Sequence, residues 1–279
     1  MTVSNFLKEK KIAIVAGGGK LPQLIIDALE MQQIPHIILS LPGNVDDKIL
    51  QNNKYIQIFP GLVKPVLAIL KKEHVTAVVF AGHIKRPSFF SLKVDSIGAK
   101  LLARIMACKI HGDNTVLSII AEFLEEQGFK VISPNSIIPS LLAPVGNLGT
   151  AQPDENDVID ISIGQTILGL LGHMDIGQAV IVENGYVLGI EAAEGTDSLI
   201  SRSASLKREQ VRKGVLVKMK KNNQDKRLDL PVIGLTTIEN VYRANLRGIA
   251  ISAQRSIIIN FEEVIRLVNK YNIFIIGID

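Results

Sequence analysis

The sequence predicts an α/β protein of two domains, and three features predict it. The chain has 279 residues, about twice an ordinary domain. Its first half alternates short apolar runs with amphipathic ones, the order expected of parallel strands joined by helices. A passage rich in Pro and Gly, Ala143-Pro144-Val145-Gly146-Asn147-Leu148-Gly149, interrupts that pattern near the midpoint. Composition agrees: 47% of residues are hydrophobic, Ile, Val, Leu and Ala are plentiful, and Trp is absent, which suits buried sheets flanked by helices. The expected division is residues 1–146, a Rossmann-like domain with a mostly parallel sheet suited to nucleotide or phosphate, and residues 147–279, a second mixed α/β domain.

The first domain opens with an apolar strand, Lys11–Ala16, followed at once by Gly17-Gly18-Gly19. Leu21-Pro22 then starts an amphipathic helix, since proline is tolerated where the first-turn N–H lacks a partner anyway. His36–Leu39 is the second strand, and strands at Tyr55–Phe59, Thr76–Ala81 and Lys130–Ile132 continue the series. Helices are expected at Val63–Glu73, Ser96–Cys108 and Asn114–Gln127, the last stopped by Gly128. The glycines read either as a tight structural turn or as a loop whose N–H groups contact a phosphate or sugar. A dinucleotide is disfavoured: the spacing Gly17-x-Gly19-x-x-Pro22 lacks the third glycine, and no acid follows the second strand. The strand Thr76–Ala81 runs into Gly82-His83-Ile84-Lys85-Arg86, at the end of a parallel strand where ligands bind. A solvated basic loop is the competing reading.

Several classes are excluded. One cysteine, Cys108, precludes an internal disulfide framework, and its apolar surroundings predict a buried structural thiol. The apolar stretch after the polar N-terminus is too short for a signal peptide or membrane span, so the expected location is the cytoplasm. The net charge of +4 is too mild for a protein that wraps nucleic acid. It suits anionic small molecules or an anionic membrane face.

The second domain carries the polar clusters. A helix is expected from about Asp154 to Leu171, followed by strands Gln178–Glu183 and Tyr186–Glu191 turned at Asn184-Gly185, a strong hairpin signal. The hairpin ends in Glu191-Ala192-Ala193-Glu194-Gly195-Thr196-Asp197, with Thr196 as the expected N-cap of a helix over Asp197–Leu206. Three carboxylates so close could hold Mg²⁺, or could be a capping turn with solvated acids. Residues 207–227 hold nine basic residues against Glu209 and Asp225. Within the expected strand Val215–Lys220, Leu216, Lys218 and Lys220 share one face. The loop Gln224-Asp225-Lys226-Arg227-Leu228-Asp229 mixes acids with cations, as phosphoryl chemistry needs and as a charged surface loop also shows. The remaining helices, Thr236–Asn245 and Phe261–Lys270, and strands Gly248–Ser252, Ser256–Asn260 and Asn272–Ile276, read as scaffold.

These segments together resemble the bacterial UDP-2,3-diacylglucosamine pyrophosphatase family of lipid A biosynthesis, of the alphaproteobacterial rather than the calcineurin-like type. The resemblance is carried by Ala16-Gly17-Gly18-Gly19-Lys20-Leu21-Pro22, Ala81-Gly82-His83-Ile84-Lys85-Arg86-Pro87, Leu141-Leu142-Ala143-Pro144 and Asp175-Ile176-Gly177-Gln178-Ala179-Val180. The segment Glu191–Asp197, the stretch Gln224–Pro231 and Gly248-Ile249-Ala250 complete it in matching order. It implies Mg²⁺-dependent hydrolysis, with Mn²⁺ as a substitute, of a UDP-linked diacylated glucosamine to UMP and 2,3-diacylglucosamine 1-phosphate. The alternative is a nucleotide-sugar or phospholipid binding protein without catalysis.

Resemblance and charge pattern together nominate Asp225, Lys218 and Arg227 as the catalytic group. Substrate contacts are expected from Gly17, Gly18, Gly19, Lys85, Arg86, Gln178, Thr196 and Gln224, and metal ligation from Glu191, Glu194, Asp197 and Asp225. Phe89, Phe90, Leu141 and Leu142 are candidates to line an acyl groove. Peripheral contact with the inner membrane and a homodimer are compatible with this reading.

Overall fold

The computed structural model describes residues 10–84, 92–108, 112–207, 211–221, 225, 227–228 and 230–279. They form two compact units, residues 1–139 and 140–279. Both are α/β.

The first unit is built on five parallel strands: β1 (Lys11–Ala16), β2 (His36–Ser40), β3 (Tyr55–Gln57), β4 (Val75–Ala81) and β5 (Lys130–Ile132). Their order is β3-β2-β1-β4-β5. β1 and β4 are buried almost throughout, as expected of central strands covered on both faces. Helices α1 (Leu21–Met31), α2 (Asp47–Asn52), α3 (Val63–Lys72), α4 (Ser96–Met106), α5 (Asp113–Glu126) and α6 (Pro134–Ile137) connect and flank them. The strand order reverses between β1 and β4, the place at which open parallel sheets bind ligands beyond the strand ends. The short α2 has only Ile49 buried, too little for a periodic signal, and is set by its Asp46 cap. Cys108 departs from expectation: it follows the end of α4, is only partly buried, and its thiol lies 3.7 Å from the Arg104 carbonyl.

The second unit holds a six-stranded sheet in the order β6-β13-β11-β9-β7-β8. Its members are β6 (Gly146–Asn147), β7 (Ala179–Glu183), β8 (Tyr186–Ile190), β9 (Val215–Lys218), β11 (Gly248–Ser252) and β13 (Phe274–Ile278). β9, β11 and β13 are mutually parallel, while β6 and β7 are antiparallel to their neighbours. A two-stranded parallel sheet pairs β10 (Val232–Ile233) with β12 (Ile257–Ile258). The Pro/Gly-rich passage belongs to this unit rather than to a linker. The Ala143 N–H donates to the Ser256 carbonyl, and Asn147 pairs with Ile276.

Alternation along the strands divides the core into two layers. Ile181, Leu216, Ile249 and Ile275 pack under α8 (Thr196–Ala204), α9 (Leu235–Arg243) and α10 (Phe261–Tyr271). Val180, Val217, Ala250 and Phe274 face the other way, with Ile161 and Leu168 of α7 (Glu155–Gly172). The Asn184-Gly185 turn between β7 and β8 has positive φ at both residues, 51° and 77°. Two expectations shift. β9 ends at Lys218: the Met219 N–H still donates to the Gln178 carbonyl in register with β7, but the Lys220 N–H goes to Ser252 Oγ rather than to a strand carbonyl. Thr196 is the first residue of α8, whose N-cap is Gly195.

Candidate active site

Each unit offers a carboxyl edge of parallel strands. In the first, the Gly17-Gly18 turn after β1 is clasped to Gly82-His83 after β4. The Gly17 N–H donates to the Ala81 carbonyl at 2.8 Å, the Gly18 N–H to the His83 carbonyl at 2.7 Å, and the His83 N–H to the Gly18 carbonyl at 3.1 Å. A Cβ on Gly17 would stand 2.3 Å from the His83 carbonyl oxygen, and one on Gly18 2.5 Å from the His83 ring. The close approach therefore requires glycine at both. It also corrects the expectation that Gly17 and Gly18 present N–H groups to a phosphate, because both are spent on backbone partners. Gly19, at φ 89°, is exposed beside the His83 ring. Lys85, Arg86, Phe89 and Phe90 lie outside the described residues.

In the second unit, the carboxyl edge of β9, β11 and β13 holds a cavity of about 240 Å³. Lys220, Lys221, Ser252, Arg255, Gln165 and Asp279 supply its polar wall. Lys221 reaches back to the Asp175 carboxylate at 2.6 Å, a buried pair that anchors the segment after β9. Beyond it stands Asp225. Its carboxylate accepts from the Arg227 backbone N–H at 2.9 Å and from the guanidinium, with Nε at 2.9 and 3.1 Å and Nη2 at 2.6 Å. The Arg227 hydrogen bond holds the Asp225 carboxyl below the usual aspartate range, and the Lys220 charge adds to it. Asp225 is thus ionised at neutral pH within cationic surroundings. Gln224 lies outside the described residues.

Lys218, the last residue of β9, projects from the Leu216 face and is only 5% exposed. Its Nζ lies 2.5 Å from Thr196 Oγ1, which in turn lies 2.7 Å from Glu191 Oε1. The Gln178 N–H donates to Glu191 Oε2 at 3.0 Å. Lys218, Thr196, Glu191 and Gln178 are therefore brought together.

The three acids nominated as a metal cluster are not. Glu191 faces inward to Thr196 and Gln178, whereas Glu194 is bound by Arg202 at 2.8 Å and by the Ala192 N–H. Asp197 accepts from Asn240 at 2.9 Å. Each carboxylate answers a donor from a different element, so the segment does not converge on a point. Among the described residues no three His, Cys, Asp or Glu side chains form a group that could hold a metal. The acyl-groove candidates separate as well: Leu141 is buried in the core, and Leu142 bridges Ile257.

Ser252 and Arg255 were not singled out from the sequence. Their signal was position alone, at and just after the carboxyl end of a parallel strand.

Fold and site define a two-domain α/β protein with a cation-rich, carboxylate-bearing pocket suited to a phosphorylated small molecule. The LpxI N-terminal domain family matches residues 11–141 and the LpxI C-terminal domain family matches residues 144–276. The chain belongs to the LpxI family. It is similar to the UDP-2,3-diacylglucosamine pyrophosphatase LpxI of Caulobacter vibrioides, with 31% identity over 275 residues, covering 97% of this chain and 98% of that one. Among solved structures, N5-carboxyaminoimidazole synthase from Aspergillus clavatus aligns at 11% identity and a TM-score of 0.24. That alignment covers 73% of this chain and 45% of the other, a likeness too slight to carry any conclusion.

Proposed function

We propose that this chain hydrolyses the pyrophosphate of UDP-2,3-diacylglucosamine in lipid A biosynthesis. The products are UMP and 2,3-diacylglucosamine 1-phosphate. The observation that carries the reading is full-length similarity to a relative bearing that name, coinciding with the basic edge around Asp225. Water adds to the sugar-side phosphorus. The bond from that phosphorus to the bridging oxygen breaks, and the bridging oxygen leaves with UMP.

Lys220 and Arg255 in the cavity wall, with Lys218 at the same carboxyl edge on the α8 side of the sheet, neutralise phosphate oxygens as charge shifts onto the bridging oxygen. Asp225, held ionised by Arg227, orients the water and accepts its proton. Mg²⁺, or Mn²⁺ in its place, fits here only as an ion held by one or two carboxylates, several waters and the substrate phosphates. Asp225 is the residue that would hold it, since Glu191, Glu194 and Asp197 are committed elsewhere. Such an ion would neutralise phosphate charge and activate water. Exposed Leu170, Met174 and Ile176, at and just after the end of α7 near the cavity residues Gln165 and Gly169, favour peripheral contact with the membrane that holds the acyl chains. No helix of the described residues is long and apolar enough to cross a membrane.

The test is incubation with UDP-2,3-diacylglucosamine in detergent and ¹⁸O-water, with products identified by mass. UMP and the acylated sugar phosphate are expected, with ¹⁸O in the sugar phosphate. Excess EDTA should stop turnover and Mg²⁺ restore it. Binding without product would establish the non-catalytic alternative, and label in UMP would refute attack at the sugar-side phosphorus.

A further inference from the structure

Lys218 and Glu191 are each 5% exposed, and Thr196 stands between them, in contact with both. An ammonium has donors and no acceptor, so the Thr196 oxygen must accept from Lys218. A hydroxyl carries one proton, so Thr196 must give it to Glu191. The direction of the chain Lys218 to Thr196 to Glu191 is therefore fixed, and the Gln178 N–H occupies the second Glu191 oxygen. The chain joins three elements: the last residue of β9, the first of α8, and the residue after β8.

The Thr196 hydroxyl has no part in capping its helix, since Gly195 is the N-cap and no side chain caps it. Nor is the hydroxyl needed to dock α8, because Leu199 and Ile200 are fully buried and carry that packing. A lysine has a flexible four-carbon stem, and a buried ammonium needs acceptors for its protons. Thr196 supplies one such acceptor and restrains the stem at the carboxyl edge.

We propose that Thr196, its hydroxyl oriented by Glu191, is the positioning residue that fixes the Lys218 ammonium for phosphate neutralisation, and that Glu191 serves this relay rather than a metal ion. The proposal rests on the phosphoryl role given to Lys218 above.

The test compares Thr196→Val, Thr196→Ser, Lys218→Ala and the double variant Thr196→Val/Lys218→Ala, in steady-state hydrolysis and thermal melting. Thr196→Val should lower kcat by roughly tenfold or more with KM changed less than about threefold, since the lost effect is on the transition state. Thr196→Ser should restore most of that loss, and melting should stay near wild type. In the Lys218→Ala background Thr196→Val should add no further loss, the signature of coupled residues. Wild-type kcat in Thr196→Val, or a loss that multiplies with that of Lys218→Ala, would overturn the relay. Should Lys218→Ala turn over normally, the phosphoryl role of Lys218 fails, and the proposal falls with it. The geometry of the relay is read separately by NMR of the ¹⁵N-labelled lysine ammonium groups. Proton exchange at Lys218 Nζ should be slow in wild type and Thr196→Ser and fast in Thr196→Val; equal exchange in all three refutes the relay.

Discussion

Asp225→Asn removes a charge while keeping the shape of the side chain, and the structure allows its two effects to be separated. The stability effect is small. The Asp225–Arg227 pair is local and partly exposed, at 20% and 35% for the two side chains, so its loss costs about 1 kcal/mol or less. On a chain of this size that lowers the melting temperature by only about 2–4 °C. The chemical effect is large. A positioned acid–base group contributes roughly 10²–10⁴ in rate, so turnover should fall at least about a hundredfold. The pH profile gives a second reading. Arg227 lowers the Asp225 pKa, so the carboxylate stays ionised until pH falls below the ordinary aspartate range. The contribution of the pair is present above the unfolded-state pKa and is lost as pH falls through the folded one. The wild-type acid limb assigned to Asp225 should therefore lie below that range, and Arg227→Ala should move it upward. The assay is product release at saturating substrate across pH, with melting of each variant. Near-wild-type turnover of Asp225→Asn, or a loss matched by unfolding, would refute the assignment.

Two further outcomes separate scaffold from site. Gly17→Ala would drive a methyl group into the His83 carbonyl oxygen, 2.3 Å from the ideal Cβ, and should cost about 1–3 kcal/mol by overpacking, read in denaturant melts. Asp157 is the third residue of α7, accepts the N–H of the N-cap Asp154 in a capping box and holds Arg247 Nε at 2.5 Å, so Asp157→Ala should destabilise by about 2–3 kcal/mol. Because Arg247 precedes β11, at the amino edge of the sheet away from the cavity, kcat of the folded fraction should be unchanged; a fall in kcat at low temperature would show that the two edges are coupled.

Most of the fold was legible because the features that set it are local. Apolar runs of strand length gave β1, β4, β7 and β11, and Asn184-Gly185 gave the hairpin, each from fewer than ten consecutive residues. The exceptions were decided at a distance. β9 stops short of Lys220 because Ser252 Oγ takes the Lys220 N–H, a fact that no window around Lys218 contains. The glycine turn could not be resolved between an anion loop and a structural turn until His83, 65 residues on, was seen to occupy its donors.

The acids show the same rule at the level of the site. Glu191, Glu194 and Asp197 looked like one cluster because they are three residues apart, but they run from the end of a strand through a turn into the first turn of a helix. Side chains along such a path point in different directions, and each meets whichever donor its neighbouring element supplies: Thr196 and Gln178, Arg202, or Asn240. Proximity in sequence therefore predicts a shared metal only where the backbone is regular enough to keep the side chains on one face. Asp225 differs because its principal partner is two residues away, so its pairing with Arg227 is encoded within the loop itself. A pair of that kind is set within three residues of chain, whereas Glu191 keeps its bonds only while β8, α8 and β9 remain packed. This assigns the acid with local partners to chemistry at the edge, and the acid with distant partners to holding Lys218 in place.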